Sequence, residues 1–381
     1  MRTGQDIRKE IMRNAASGQK LSSEELLLLK SRSFSVPIGL LETFAGPNEH
    51  NKRPHVRNAY NWLRFADEIE DGTLPIGEKR ATLDKTHLLV TEICRDYSQE
   101  HLDDLIQNKL ERIVKTGVLG AVDKETRVFI KQFGNGPVVY ELGDILRREG
   151  RNSEKIAGSF RDCFGTMVVG MKDSLDKEFV KEEDLLNYCY YVAGIVGDWL
   201  TNLTNTVDGT NLDVKLGRRL GRFLQLTNVA KNIREDQTMR ERYSESRTLF
   251  LPSDFYRNSD SKKGFDAEDL FKANGANPDA KYVRENVFDN LSRLAFEEQE
   301  VARDYLESIP PRVSGYRAFC LVPYLAAVAT WETMRNAGAE KVFKGSRDAI
   351  TIPKTKLADI VQFVAENAGA YNLKKVLKIV S

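Results

Sequence analysis

The sequence has few of the residues that dominate several kinds of functional site. Its 381 residues include four cysteines, and their wide separation leaves no metal-binding or redox spacing. This use of cysteine is typical of a reduced, intracellular protein. The four histidines lie in the first part of the chain without an HExxH motif, so we expect surface or structural roles for them and no zinc site. The histidines are His50, His55, His87 and His101.

Other absences exclude whole classes of function. The formal net charge is only +1, which gives no electrostatic case for binding nucleic acid. No GxGxxG motif follows a strand, so a Rossmann domain is not expected. The segment from Met1 to Lys20 is polar and has no apolar core of the kind a signal peptide needs. No run reaches the eighteen or so apolar residues of a membrane span, since the nearest, Ala318 to Trp331, is shorter and contains Pro323.

Helical patterns fill most of the chain. From Val56 to Leu306 the sequence reads as helix with short breaks, and neither hairpin-linked strand patterns nor a fixed repeat occurs. Hydrophobic residues make up 41% of the chain, which is enough for a sizeable core. We predict an all-α fold, with residues 1–381 forming a single large helical domain around a central cavity and its core at about 22–352. The breaks fall at residues 72–75, 117, 134–137, 150–153, 208–211 and 240–264.

A polar stripe follows an otherwise apolar helix from Leu220 to Asp236. This stretch has no proline and carries apolar residues all round its first turns, which predicts a mostly buried helix. A buried amide or carboxylate without a partner costs about 1–3 kcal/mol, so we expect water, ions or a polar ligand beside the stripe. The stripe consists of Gln225, Asn228, Asn232, Glu235 and Asp236, at spacings of three or four.

A second helical stretch repeats the pattern. Tyr60, Arg64, Asp67 and Asp71 follow one another at offsets of four, three and four, and therefore share a helix face. Two acidic faces set opposite each other would hold Mg2+ through oxygen ligands and leave positions open for a diphosphate. In a chain that is 30% charged, either motif alone also has a plain interpretation as a solvated helix face. Together the two motifs predict metal-dependent diphosphate chemistry.

These motifs resemble those of the squalene/phytoene synthase family. The matching segments occur in family order from about residue 31 to 352, so the resemblance covers most of the chain. The two late segments look like the squalene synthase branch rather than the phytoene branch. The resemblance implies the isoprenoid synthase fold. The segments are Ser31–Phe34, Arg64–Asp71, Tyr188–Gly197 and Leu226–Asp236, followed by the late segments Phe319–Thr330 and Val342–Gly345.

The resemblance also assigns roles to residues. Arg64 and Lys231 would contact phosphate oxygens, while aromatic faces would stabilise an allylic cation. Tyr60, Tyr188 or the released pyrophosphate would accept a proton. The implied metal ligands are Asp67, Asp71, Asn232, Glu235 and Asp236. The implied catalytic residues are Tyr60, Tyr188 and Arg64, and the implied substrate-binding residues are Arg32, Ser33, Phe34, Gln225, Asn228, Lys231 and Phe319.

Three further segments have two interpretations each. Ser31 to Phe34 is a flap over the diphosphate in the family, or a simple helix connection. Small residues in the region Met167 to Met171, with Gly165 and Gly170, and in the region Val192 to Gly197 either allow close helix packing or line a tunnel for a prenyl chain. The charged segment from Arg240 to Phe250 is either a lid that orders on substrate binding or a plain solvated loop.

The implied reaction is a Mg2+-dependent, head-to-head condensation of two farnesyl diphosphates. It passes through presqualene diphosphate and ends in squalene, with NADPH supplying a hydride. Asn232 stands where the family usually has aspartate, and Lys231 stands where it has arginine. This departure favours an alternative: a synthase that stops at presqualene diphosphate or makes dehydrosqualene, or a related terpene cyclase. A non-enzymatic prenyl-lipid-binding protein is the third interpretation.

The C-terminal segment leads to an expectation about the cellular location. The sequence ends in the polar, basic segment Lys374 to Ser381, whereas eukaryotic squalene synthases usually carry a C-terminal membrane anchor. We therefore expect a cytoplasmic protein, soluble or in peripheral contact with a membrane. We expect a monomer whose partner is a prenyl diphosphate substrate.

Overall fold

Every regular element in the described part of the chain is a helix. The computed structural model describes residues 4–31, 34–242, 249–257, 267–271, 280–345 and 350–369. The predicted all-α class is therefore confirmed. The α-helices are α1 Gly4–Ala16, α2 Ser23–Lys30, α3 Ser35–Thr43, α4 Arg53–Glu70, α5 Ile76–Arg95, α6 Gln99–Leu105, α7 Glu111–Leu119, α8 Lys124–Phe133, α9 Pro137–Arg148, α10 Ser153–Ser174, α11 Glu182–Cys189, α12 Ile195–Asp208, α13 Val214–Arg242, α14 Asp254–Arg257, α15 Ala280–Ser308, α16 Ser314–Ala337, α17 Ala339–Lys344 and α18 Lys354–Asn367.

Most predicted helix breaks coincide with observed helix ends. The breaks near residues 72–75, 134–137, 150–153 and 208–211 separate consecutive helices. The break predicted near Gly117 falls slightly later, because α7 ends at Leu119 with Gly120 as its C-cap residue. The interruption between α10 and α11 was not predicted, since charged residues there are also good helix formers. Two π-helical turns, Ile106–Leu110 and Tyr190–Gly194, join α6 to α7 and α11 to α12.

The helices group into two compact units. The first unit comprises residues 1–172 and 202–210, and the second comprises residues 173–201 and 211–381. The predicted single domain with its central cavity stays a prediction.

In the first unit, α4 contributes the centre of an aromatic core. Trp62 and Phe65 are fully buried, and Phe65 stacks on Phe133 with ring centroids 4.2 Å apart. Trp62 meets the edges of Phe133 and Phe164 at 5.0 and 6.1 Å. Aromatic pairs of this kind add about 0.5–1.5 kcal/mol beyond the burial of their area. One side of α4 is therefore fixed in the core, which leaves its polar face in a defined direction.

In the second unit, α13 packs along α15 and α16. Buried Phe223 and Leu226 lie on its apolar side, and the Thr227 hydroxyl accepts a hydrogen bond of 2.9 Å from the Trp331 indole. Trp331 is itself 1% exposed, so its N–H needs this partner. The contact fixes the rotation of α13 about its axis.

Among the described residues, one helical segment is long and apolar enough to cross a membrane, although it contains no uninterrupted apolar run of that length. The segment Pro311–Ala337 has a mean hydropathy of 1.2 over its most apolar window. An average of this kind tolerates isolated charges such as Arg317, whereas a search for runs does not. Because 83% of the window is buried inside the protein, the segment packs as a core helix does and is weak evidence for a span.

Small residues in the predicted tunnel segments serve close helix packing. A methyl group on Gly197 would lie 2.2 Å from the carbonyl oxygen of Gly217, and one on Gly221 would lie 2.2 Å from that of Ala193. In the first unit, a methyl on Gly165 would lie 2.6 Å from the His87 ring. These distances favour the packing interpretation at these three glycines.

We expect Gly197→Ala to lower the free energy of unfolding by about 1–3 kcal/mol, because the new methyl would push α12 away from α13. Denaturant-induced unfolding measures the change. Gly158→Ala on α10 is the control, since its nearest atom lies 4.0 Å away and alanine there should be neutral or stabilising by about 0.5–1 kcal/mol. Equal losses in both variants would contradict this account of the packing.

Candidate active site

The four predicted residues of the first motif lie along α4 and its C-cap. Tyr60, Arg64 and Asp67 are half-buried within α4, and Asp71 is its half-buried C-cap residue. Pro54 in the first turn is compatible with the helix start, since the missing N–H would have no helical partner. The opposite side of α4 is in the aromatic core. The predicted helix face is therefore present in the folded chain.

A buried carboxylate that was not predicted organises this face. Glu68 is 3% exposed and lies 2.5 Å from the Arg64 guanidinium and 2.6 Å from the Lys30 ammonium. Its second oxygen accepts a hydrogen bond of 3.0 Å from the Thr126 hydroxyl. Arg64 also pairs with Asp67. The spacing of four between Arg64 and Glu68 is visible in the sequence, but the partners from α2 and α8 are not.

The charges on this face shift one another's protonation. Burial, together with the Asp71 charge, raises the pKa of Asp67 to about 7 against the attraction of Arg64. Burial opposes the charge on Arg64, but Asp67 and Glu68 more than offset this and raise its pKa. A divalent cation beside Asp67 would stabilise its ionised form.

Part of the predicted flap adjoins Tyr60. Ser31 ends α2, and its hydroxyl accepts hydrogen bonds of 2.9 and 2.8 Å from the backbone N–H groups of Phe34 and Ser35. The Phe34 ring lies 6.1 Å from the Tyr60 ring. Burial raises the pKa of the Tyr60 hydroxyl, and a hydrogen bond with Ser31 opposes this. The predicted residues Arg32 and Ser33 lie outside the described residues.

The second motif lies on α13, in the other unit. Gln225, Asn228, Lys231, Asn232 and Asp236 are half-buried, and Glu235 is exposed. The Lys231 ammonium donates a hydrogen bond of 3.1 Å to the Asn228 side-chain oxygen. A polar stripe on this helix, as predicted, is therefore present.

Asn232 has an unsatisfied acceptor within the stripe. Its side-chain Oδ1 is buried and has no hydrogen-bond partner among the described residues. An orphaned buried oxygen costs about 1–3 kcal/mol unless a ligand satisfies it. Oxygen atoms of amides and carboxylates are the ligands Mg2+ takes, so Asn232, Glu235 and Asp236 fit a magnesium ion, as Asp67 and Asp71 do on α4.

The remaining predicted aromatic residues are buried in the second unit. Tyr188 stacks on Phe250 with centroids 4.1 Å apart and meets the edge of Phe179 at 5.8 Å. Phe319 is 5% exposed and stacks on Tyr316 at 6.3 Å. Both have the surroundings of core aromatics. Their predicted contact with substrate stays a prediction.

Ion pairs between helices, absent from the predicted set, surround the start of α13. Arg218 binds Asp198 of α12 through two nitrogens, at 2.8 Å for Nη2. The buried Glu298 of α15 pairs with Arg219 and, at 2.7 Å, with Arg222. Neither acid lies in the same helix as its partner, so no local spacing reveals these pairs. They hold α13 against its neighbours in the second unit.

The predicted lid is only partly described. The helix α13 continues to Arg242, two residues beyond the predicted start of the break. Phe250 stacks on Tyr188, which places the end of this segment against α11. Residues 243–248 lie outside the described residues, so the lid stays a prediction.

Solved structures define the class of fold. The complex of TcSQS with the ligand E5700 is similar over 96% of this chain and 90% of that chain, with a TM-score of 0.63 and 20% identity. The TcSQS complex with BPH1237 gives a TM-score of 0.61 over 94% and 88%. The chain thus has the all-α isoprenoid synthase fold, as predicted.

Sequence comparison identifies the family. The squalene/phytoene synthase family model matches residues 31–356, so the chain belongs to the squalene/phytoene synthase family. Squalene synthase of Rattus norvegicus is 28% identical over 244 residues, covering 60% of this chain and 54% of that protein. Squalene synthase 1 of Arabidopsis thaliana is 26% identical over 349 residues, covering 90% and 71%. The match spans about half the length of the first of these relatives.

We expect the Asp67 carboxyl to destabilise the folded state as the pH rises. Its pKa is 3.8 unfolded and about 7 folded, so protonation favours folding and the gain disappears as the pH rises through 7. The unfolding free energy of Asp67→Asn, taken relative to that of the wild type, should therefore rise by about 1–2 kcal/mol as the pH increases from about 4 to about 8. This range allows for solvent screening, since the side chain is 32% exposed.

Denaturant unfolding in metal-free buffer measures this difference, and Asp162→Asn on the exposed side of α10 is the control. Saturating Mg2+ should reduce the difference, because the ion would hold Asp67 ionised. An Asp67 variant whose stability follows the wild type at every pH would contradict the elevated pKa.

Proposed function

We propose that this protein is a Mg2+-dependent prenyltransferase that joins two farnesyl diphosphates head to head, forms presqualene diphosphate and converts it to squalene. The observation that carries the proposal is the acidic face of α4, where Asp67 is held at an elevated pKa beside Arg64 and Asp71. Family membership and the squalene synthases among the relatives supply the substrate class.

Each motif contributes its own side chains to diphosphate binding. On α4, Asp67 and Asp71 would hold the metal, and Arg64 can exchange a carboxylate partner for a phosphate oxygen. On α13, Asn232, Glu235 and Asp236 would hold the metal, and Lys231 can turn from Asn228 to a phosphate. Bound Mg2+ supplies Lewis-acid stabilisation of the departing pyrophosphate. That the two motifs bind one diphosphate stays a prediction from the sequence.

Arg64 is prepared for this role by its buried neighbour. Glu68 keeps the guanidinium charged and close to the acidic face even when Asp67 turns to a metal ion. Lys30 stabilises Glu68, so the carboxylate does not need to leave its site. A preorganised cation costs less to position when the substrate arrives.

The aromatic residues protect the allylic cation. The half-buried Phe34 and Tyr60 present π-faces next to the α4 motif, where a cation gains about 0.5–2 kcal/mol per ring. Burial raises the pKa of Tyr60, so its hydroxyl stays protonated before substrate binds, and a neutral phenol is a poor proton acceptor. We therefore assign the proton formed in the first half-reaction to the released pyrophosphate rather than to Tyr60.

A second candidate function differs in the last step. Asn232 offers an oxygen to Mg2+ but one negative charge less than the usual aspartate, and this favours an enzyme that stops at presqualene diphosphate or makes dehydrosqualene. The squalene-forming reaction requires NADPH as hydride donor, whereas a stop at presqualene diphosphate does not. The long apolar chains of substrate and product suit peripheral contact with a membrane in either case.

We expect Asp67→Ala and Asp236→Ala each to lower the rate of pyrophosphate release from farnesyl diphosphate by at least about 100-fold, because each removes a metal ligand. A coupled pyrophosphate assay at saturating Mg2+ measures the rate. Glu183→Ala, an exposed acid on α11, should leave the rate unchanged. Full turnover in both variants would rule out the metal mechanism, and prenyl-lipid binding without turnover in the wild type would favour a binding protein.

We expect Asn232→Asp to retain or raise activity and to lower the Mg2+ concentration at half-maximal rate, because the carboxylate adds a negative charge at the same oxygen position. The matched control is Asn202→Asp, an exposed amide on α12. A folded but inactive Asn232→Asp enzyme would show that the amide itself is required. Circular dichroism distinguishes that outcome from unfolding.

A further inference from the structure

Two histidines and a glutamate converge in the first unit, at the end of α4 that is remote from its acidic face. The Glu149 carboxylate oxygen Oε1 lies 3.0 Å from Nε2 of His50 and 3.0 Å from Nε2 of His55. The three candidate ligand atoms all lie within 4.8 Å of one another. His55 is in the first turn of α4, Glu149 is the C-cap residue of α9, and His50 lies in the loop between α3 and α4.

The imidazole of His55 is buried and faces the Glu149 carboxylate. Its side chain is 5% exposed, its Nε2 lies 3.0 Å from Glu149 Oε1, and its Nδ1 has no hydrogen-bond partner among the described residues. His55 and His50 therefore direct their Nε2 atoms at the same carboxylate oxygen. Two imidazole nitrogens and a carboxylate are a donor set that transition-metal ions take.

A second network fixes the loop that carries His50. The Lys52 side chain is 1% exposed, and its ammonium donates hydrogen bonds of 3.0 Å to Glu49 and 2.6 Å to Asp208. The other oxygen of Asp208 accepts a hydrogen bond of 2.6 Å from the His50 backbone N–H. The position of His50 is thus built by buried contacts, not by the histidine cluster alone.

We propose that His50, His55 and Glu149 bind a divalent transition-metal ion of the Zn2+ type. Imidazole nitrogen suits zinc and its neighbours, whereas Mg2+ prefers oxygen alone. Tetrahedral ligands at about 2.0–2.1 Å from zinc lie about 3.3 Å from one another, so the observed 3.0 Å contacts need to widen by only a few tenths of an ångström. His50 is 37% exposed, which leaves an entry path and a coordination position for water.

This site is separate from the proposed magnesium site. Asp67 is twelve positions after His55 in the same helix, which corresponds to about 18 Å along α4. The ion would fasten the loop before α4 to the end of α9, so we expect it to stabilise the fold. No short motif reveals the cluster, because 99 positions separate His50 from Glu149. From the sequence we expected only surface or structural roles for His50 and His55, and this proposal replaces that expectation.

The test is titration of chelator-treated full-length protein with Zn2+ in millimolar Mg2+, read by bound zinc per chain and by thermal unfolding. We expect one zinc per chain and a rise in Tm of at least about 3 °C. Co2+ in place of Zn2+ should give the visible absorption of a four-coordinate ion. Failure of the wild type to bind zinc stoichiometrically would overturn the proposal.

Variants inside and outside the cluster complete the test. His55→Ala and Glu149→Gln should each weaken zinc binding by at least about 10-fold. His101→Ala, a histidine outside the cluster, and Asp67→Asn should bind zinc as the wild type does. If His55→Ala does not fold, His50→Ala at the half-exposed position decides in its place. Zinc binding that depends on Asp67 but not on Glu149 would overturn the proposal by assigning the ion to the acidic face.

Discussion

The burial of Glu68 between Arg64 and Lys30 is the interaction on which the candidate site depends. A carboxylate that is 3% exposed is stable only with close, opposite charges and a hydrogen-bond donor, and it has both. The Glu68 carboxylate in turn holds the Arg64 guanidinium on the surface of α4, next to Asp67. The acidic face is then a fixed arrangement of charges rather than a set of mobile side chains.

The same arrangement supports the proposal of a metal ion. Asp67, Asp71 and Glu68 crowd one end of α4, and the single pairing of Arg64 with Asp67 does not offset burial, so the Asp67 pKa rises to about 7. On α13 the cost takes another form, an orphaned oxygen on Asn232. Both are local penalties in the free protein that a cation with oxygen ligands would remove. Sites that bind ligands commonly retain such penalties.

The sequence predicted what depends on spacing within one helix. The all-α class, most helix ends and the two polar faces follow from periodicity and from glycine and proline, and the family follows from the motifs. Contacts between distant segments were not predictable: Lys30 with Glu68, Glu298 with Arg222, and the cluster of His55 with Glu149 each join different helices. The sequence left two interpretations of Gly197 open, close helix packing and a tunnel lining. A glycine on a helix face is compatible with either a neighbouring backbone or a ligand beside it.

The most direct test of the central claim is incubation of the purified protein with farnesyl diphosphate, with and without Mg2+ and NADPH, followed by mass spectrometry of the organic extract. The account predicts a C30 product that requires Mg2+, with squalene formed only when NADPH is present. Presqualene alcohol after dephosphorylation, indifferent to NADPH, would retain the ionisation site and assign the second candidate function. Unchanged farnesyl diphosphate in the presence of Mg2+ would contradict the account.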